Sequence, residues 1–379
     1  MKRRKKLVWV AVISIVLLGG IAGGVFYYLP EPPVQVMEKT RVALNDAKEK
    51  KANLYNKKLH EEALVLYDSA MAAWKRENGK FFLFRDYKKA IAFAGEAKKK
   101  AERAGELSEK NERVAKDGLE EGVKTLRDKA KSFDAVYLNI PMSASIKKKQ
   151  AKGKLLLNET EVAFTRGDYK EGSEKFQEAK RNIEEAYREA ESVVETYFSA
   201  LPTWQKKLNA TLDASKKNGS YVIVVEKFPP CCCVYYKGIL KEEFKAELGK
   251  NWLGDKRREG DDATPEGMYK VTKKLGEGKT KYYKALLLDY PNAEDRERFR
   301  QLKKAGEISS SAGIGSLIEV HGGGGKGVHW TNGCVALTDK DMDKIYKYAG
   351  VGTMVTIIGA SKPWKEIIDE YKRYETAHE

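Results

Sequence analysis

Between residues 36 and 200 the chain contains a single proline, Pro141, and is rich in Ala, Glu and Lys. No other feature restricts the fold as strongly. A stretch that long, made of good helix formers and almost free of proline, is suited to long helices. Its apolar residues recur with helical spacing. Leu59, Ala63, Leu66, Tyr67, Ala70 and Trp74 share one face, as do Tyr87, Ala90, Ile91, Ala94, Ala97, Ala101 and Ala104. Two further runs are Ala115, Leu119, Leu126, Ala130, Phe133 and Tyr169, Phe176, Ala179, Ile183, Tyr187, Ala190. Many contact positions are alanine, which lets helices approach closely. Arg85-Asp86-Tyr87-Lys88 and Arg166-Gly167-Asp168-Tyr169-Lys170 echo one another, each placing an Asp at an N-cap position. These features predict an all-α, helical-hairpin region over 36–200: two related hairpins, with a long helix and the Pro141 break between them. Its simplest role is a stalk. The alternative is a module that binds an envelope protein or a glycan strand.

Ahead of this region stand five basic residues, 2–6, then an uncharged run, 7–29, closed by Pro30. The run's 23 residues make about 35 Å of helix, against a hydrocarbon core of about 30 Å. The expectation is a single-pass transmembrane anchor over 7–29 in the inner membrane, with the basic tail 1–6 cytoplasmic. Everything after Pro30 would then be periplasmic. A cleaved signal peptide is the alternative, with Ile21-Ala22-Gly23-Gly24 as the cut, but the apolar run continues through Val25, Phe26, Tyr27 and Tyr28. Composition agrees with one span only. The chain of 379 residues is 42% hydrophobic and 33% charged, with a mean hydropathy of -0.58, which excludes a polytopic membrane protein and a wholly disordered chain. The formal charge of +16 is spread out, with no dense basic arm, so no nucleic-acid partner is expected.

Past residue 200 the texture changes. Tyr221-Val222-Ile223-Val224-Val225 is a β-branched run, and Cys231–Tyr236 gives a second strand turning at Lys237-Gly238. Short apolar runs and glycines continue to Ile358, with a short helix over Asp341–Tyr348 and a C-terminal helix and tail over 361–379. The alternation of a strand puts Cys231 and Cys233 on one face and Cys232 on the other. The three are expected to be small strand fillers.

The chemistry concentrates in 318–337, which holds two of the chain's four histidines, His321 and His329, and its one cysteine outside 231–233, Cys334. A thiol becomes a useful nucleophile when an imidazole favours its thiolate. Asn332-Gly333 ahead of Cys334 predicts a tight turn whose backbone N–H groups can hold an oxyanion. A P-loop is excluded because Lys326 is followed by Gly327. A zinc site of His321, His329 and Cys334 matches no finger spacing and lacks a fourth ligand. Neither a metal nor a cofactor is expected.

His321-Gly322 followed by Thr331-Asn332-Gly333-Cys334 resembles the signature of the L,D-transpeptidase catalytic domain family (YkuD type), here in a variant with Thr-x-Gly-Cys-x-Ala. Gly249–Lys256, Gly260–Tyr269, Leu288–Asn292 and Gly352–Val355 resemble its other segments in the same order. The resemblance covers about 220–360 and implies a mainly β, β-sandwich-like catalytic domain. It implies Cys334 as the nucleophile that forms a thioester, His321 as general base and acid, Gly322 as the backbone group orienting that histidine, and Gly333 and Cys334 N–H groups as the oxyanion hole. It implies peptidoglycan stem peptides as substrate, with His329, Trp330, Thr331 and Asn332 beside them. Asn332 and Ala336 stand where the family often has His and Arg. Together with a glycine-rich spacer expected to be a loose lid, they lean toward hydrolysis. Against that, the Thr264-Pro265-Glu266-Gly267 segment and the broader family favour cross-linking by transpeptidation, which is the leading reading; hydrolysis of the same bond or release of a wall-linked lipoprotein is the alternative, and a non-catalytic wall-binding scaffold is the alternative of another class.

Overall fold

The computed structural model describes residues 2–27 and 30–376. Eight helices come first: α1 (Lys2–Tyr27), α2 (Val34–Glu49), α3 (Ala52–Tyr55), α4 (Lys57–Asn78), α5 (Lys88–Tyr137), α6 (Ala144–Thr165), α7 (Tyr169–Phe198) and α8 (Leu201–Asn218). The second and third apolar runs of the sequence lie on one helix, α5, with 50 residues, rather than on two. Nothing between Ala104 and Ala115 stops a helix, since that segment holds no proline and only one glycine, Gly105. Asp86 Oδ1 accepts the N–H of Lys88 at 3.0 Å at the start of α5.

Among the described residues no helix is long and apolar enough to cross a membrane. The anchor expected over 7–29 runs into residues 28 and 29, which lie outside the described residues. Helix α1 carries the described part of that run, up to Tyr27. The transmembrane helix is therefore carried by the sequence alone.

The chain divides into two compact units: 1–127 with 155–180, and 128–154 with 181–379. The first is helical, and alanine builds its interior. Ala47, Ala52, Ala63, Ala101 and Ala104 are fully buried and pack with Ala43 and Leu44. Thr40 Oγ1 lies 2.8 Å from Val36 O on its own helix and 3.0 Å from Ala94 O on α5, so its one hydrogen is shared between the two carbonyls.

The second unit holds β1 (Tyr221–Lys227), β2 (Pro230–Tyr236), β3 (Ile239–Lys245), β4 (Gly267–Leu275), β5 (Ala285–Leu288), α9 (Ala293–Lys304), β6 (Glu319–His321), β7 (Val335–Ala336), α10 (Asp339–Tyr348), β8 (Met354–Ile358) and α11 (Trp364–Thr376). The strands run in the order β3-β2-β1-β8-β4-β5-β6-β7. Strand β4 belongs to both halves of this array. Gly267–Lys270 pairs with β8, and Val271–Leu275 pairs with β5 through a bulge between Val271 and Lys273. A bulged strand that changes partners is how a sheet turns a corner and folds over its own core. The result is the mainly β domain expected for the C-terminal region.

Aromatic residues of the preceding helices complete this core. Phe198 and Trp204 are buried with Trp252 and Ile358 in one continuous cluster. Trp204 Nε1 and Tyr197 Oη both donate to the Glu266 carboxylate at 2.8 Å. Lys227, fully buried, reaches Glu266 Oε1 at 3.0 Å and Gly254 O at 2.6 Å. Glu266 belongs to the Thr-Pro-Glu-Gly segment singled out in the sequence. Its charge is buried but met by three donors, which is the condition for tolerating it there.

Candidate active site

Strands β6 and β7 are parallel, with Val320 level with Val335 and His321 level with Ala336. Val320 and Val335 are fully buried in the core. Side chains alternate across a strand, so the opposite face carries Glu319 and His321 from β6 and Cys334 from the residue just before β7. Pairing alone brings His321 and Cys334, 13 positions apart in sequence, to one face.

His321 is fully buried. Its Nδ1 lies 2.6 Å from Gly322 O. A carbonyl only accepts, so Nδ1 carries the hydrogen and Nε2 keeps a lone pair. Nε2 has no hydrogen-bond partner among the described residues. Tyr282 stacks flat on the imidazole, with centroids 3.5 Å apart and 6° between planes. Trp330 meets it edge-on at 5.9 Å. Burial, opposed by the Gly322 hydrogen bond, pushes the imidazole down to about 4, so it is neutral at pH 7.

Cys334 is partly exposed, and its Sγ donates to Leu317 O at 3.6 Å. Burial pushes the thiol above its ordinary value. The thiol and the imidazole are therefore both neutral at rest, on one face of the sheet. In this state the thiol rests on Leu317 O. Catalytic hydrogen bonds in a free enzyme are often unmade until substrate arrives.

The turn ahead of Cys334 is clamped by Thr331. This buried hydroxyl donates to Cys334 O at 2.7 Å and accepts the N–H of Gly333 at 3.2 Å. Gly333 has φ +131°, and a Cβ there would lie 2.6 Å from Ala263 O, so only glycine fits. His329 is also turned inward. Its Nδ1 accepts the N–H of Leu248 at 2.9 Å, and burial lowers its basicity. Asn332 is exposed, two positions before Cys334.

The glycine-rich spacer is not the loose lid expected of it. The N–H of Gly322 donates to Lys284 O at 3.0 Å, and that of Gly324 to Leu337 O at 2.8 Å. The N–H of Gly323 donates to Asp339 Oδ1 and that of Gly327 to Glu247 Oε1, both at 2.7 Å. Glu247 also holds Trp330 Nε1 at 2.7 Å. Glycine is required at 324 by close approach rather than by mobility, since a Cβ there would lie 2.9 Å from the Leu337 backbone.

Tyr282 and Glu247 escaped the sequence analysis. Tyr282 lies 39 positions before His321 and Glu247 lies 80 before Gly327, and neither shares a motif with its partner. The only hint at Tyr282 was an aromatic pair, Tyr282-Tyr283, flanked by lysines.

Residues 220–357 match the family model for YkuD, the L,D-transpeptidase catalytic domain. This segment belongs to that family. YafK of Escherichia coli (strain K12), a candidate L,D-transpeptidase, is 30% identical over 109 residues, which is 29% of this chain and 37% of YafK. The chain thus spans little more than a third of that relative's length. Among solved structures, Bd1075 of Bdellovibrio bacteriovorus is 22% identical with a TM-score of 0.30, covering 42% of this chain and 56% of that one. Pgp2, a helical cell shape determining protein of Campylobacter jejuni, is 24% identical with a TM-score of 0.28, covering 38% and 48%.

Proposed function

We propose that this chain is a cysteine-dependent L,D-transpeptidase acting on peptidoglycan stem peptides, held at the inner membrane by residues 7–29 with its catalytic domain in the periplasm. One observation carries the enzymatic reading. The buried imidazole of His321, its Nδ1 tied to Gly322 O, keeps an unpartnered Nε2 on the sheet face that also bears Cys334. A buried nitrogen without a partner is costly to maintain, and a proton to be taken from the neighbouring thiol accounts for it.

The steps follow from that protonation state. Cys334 Sγ attacks the acyl carbonyl as its proton passes to His321 Nε2. The N–H groups of Gly333 and Cys334 face the developing oxyanion, which requires Gly333 to give up its long bond to Thr331 Oγ1. The resulting imidazolium protonates the leaving amine, and a thioester remains. The acceptor amine attacks the thioester, loses a proton to Nε2, and carries the acyl group away as the thiol re-forms. A transpeptidase must hold that acceptor and exclude water. The pinned Gly322–Gly327 loop favours this outcome over hydrolysis, since a fixed loop keeps a positioned acceptor where a loose one admits solvent. Trp330 and Asn332 are the flanking side chains placed to meet the substrate. The helical unit acts as a spacer between membrane and wall.

The test is to incubate the full chain in detergent with a disaccharide tetrapeptide and follow products by mass. A cross-linked dimer lacking one terminal D-alanine supports the proposal; free tripeptide alone makes the protein a hydrolase. A carbapenem should add covalently to Cys334, and its failure to do so would favour a wall-binding scaffold. A periplasm-only reporter fused after residue 379 should be active, and activity of a cytoplasm-only reporter there would refute the anchor.

A further inference from the structure

Cys231-Cys232-Cys233 plays no part in the chemistry above. Strand β2 divides the three as alternation requires. Cys232 is fully buried among the core aliphatic residues, as a strand filler should be. Cys231 and Cys233 lie on the other face with their sulfurs 3.3 Å apart. Both are free thiols. Directly across from Cys233, on β3, stands Glu243. Both sulfurs and a Glu243 carboxylate oxygen lie within 4.8 Å of one another.

We propose that Cys231, Cys233 and Glu243 form a binding site for a thiophilic divalent cation such as Zn2+, which clamps the edge strand β3 to β2. Four observations argue for it. Two sulfurs and a carboxylate oxygen are a donor set that tetrahedral Zn2+ accepts. Thiolates bound at about 2.3 Å with tetrahedral angles sit roughly 3.8 Å apart, so the sulfur pair needs to open by only about half an ångström. Strand β3 is the outer strand of the sheet and Glu243 is exposed, so a cation has a route in and a water can take the fourth position. Charge also balances. Two thiolates and one carboxylate exceed Zn2+ by one negative charge, and the exposed Lys245, across from Cys231 on β3, offsets it. Binding releases one proton from each thiol to solvent, and no electron moves.

The site lies on β2 and β3 and shares no residue with the chemistry above, although the chain just after β3 bonds to β7 through Glu247 and Ala336; its loading is read without measuring turnover. The full chain, purified in detergent under reducing conditions, is titrated with Co2+ and followed by the sulfur-to-cobalt charge-transfer band. One equivalent should bind and be displaced by Zn2+. Cys231→Ser and Cys233→Ser should each abolish the band, while Cys232→Ala and Cys334→Ser should keep it. Glu243→Gln, at an exposed position that leaves the core intact, should weaken Zn2+ by about 10–100-fold, the scale set by polar groups at metal sites. Zn2+ should raise the midpoint of thermal unfolding of the wild type but not of Cys233→Ser. A band that survives Cys231→Ser and Cys233→Ser, an affinity unchanged in Glu243→Gln, or recovery of a Cys231–Cys233 disulfide from cells would each overturn the proposal.

Discussion

Tyr282→Ala tests whether the stacked phenol is what keeps His321 neutral. In the native protein burial pushes the imidazole down to about 4, whereas an exposed histidine titrates near 6.5. That gap of about 2.5 pH units corresponds to about 3 kcal/mol, at about 1.4 kcal/mol per unit. Between those two pH values the unfolded chain binds a proton that the folded imidazole refuses. The contribution of His321 therefore makes stability fall as pH drops from 6.5 toward 4. Global unfolding blurs this effect, because burial pushes the Asp255 carboxyl up and gives that group the opposite sign. A site-resolved measurement is needed, and a chain with four histidines permits it. Tyr282 covers one of the two faces of the ring at 3.5 Å. Exposing that face should return roughly half the gap, moving the midpoint up by roughly one pH unit. The assay is NMR titration of the imidazole resonances, assigned by single substitutions, alongside the acid limb of kcat/KM. Both should move together in Tyr282→Ala, and neither should move in Tyr282→Phe, which keeps the stack. A wild-type midpoint near 6.5, or an unchanged midpoint in Tyr282→Ala, would refute the argument.

Cys334→Ser should fold normally and lose nearly all turnover by product mass analysis, and His321→Ala should lose a comparable amount, because thiol and imidazole act as a unit. Gly333→Ala should lower the thermal midpoint by several degrees. The strained backbone costs roughly 1–3 kcal/mol before its Cβ meets Ala263 O at 2.6 Å. Trp204→Phe removes the N–H that Glu266 accepts at 2.8 Å together with part of a buried indole, so denaturant unfolding should show a loss of at least about 1–3 kcal/mol; Trp204→Phe as stable as wild type would show that this bond contributes nothing net. Gly324→Ala should disturb the loop rather than stiffen it harmlessly, with a fall in kcat/KM measured at equal folded concentration.

The amino-acid order by itself determined the helical character of the first half, because near-absence of proline and a 3.6-residue apolar period are local properties. It determined the β character of the second half for the same reason. It also marked His321, Gly322, Gly333 and Cys334, since these lie within one short stretch and carry a recognisable spacing. What it did not contain were relations between distant segments. That α5 is one helix rather than two was obscured by a weak stretch of apolar spacing between Ala104 and Ala115. That the glycine spacer is held at four N–H groups depends on Lys284, Leu337, Asp339 and Glu247, none of which lies in the spacer. Only the tertiary structure decided that Tyr282 shields the imidazole, that Trp204 and Tyr197 satisfy Glu266, and that Glu243 meets two of the three adjacent cysteines. The physical reason is common to all three. Strand register and side-chain burial are set by what packs across tens of residues, and no local period in a chain encodes which distant carboxylate or ring will be there.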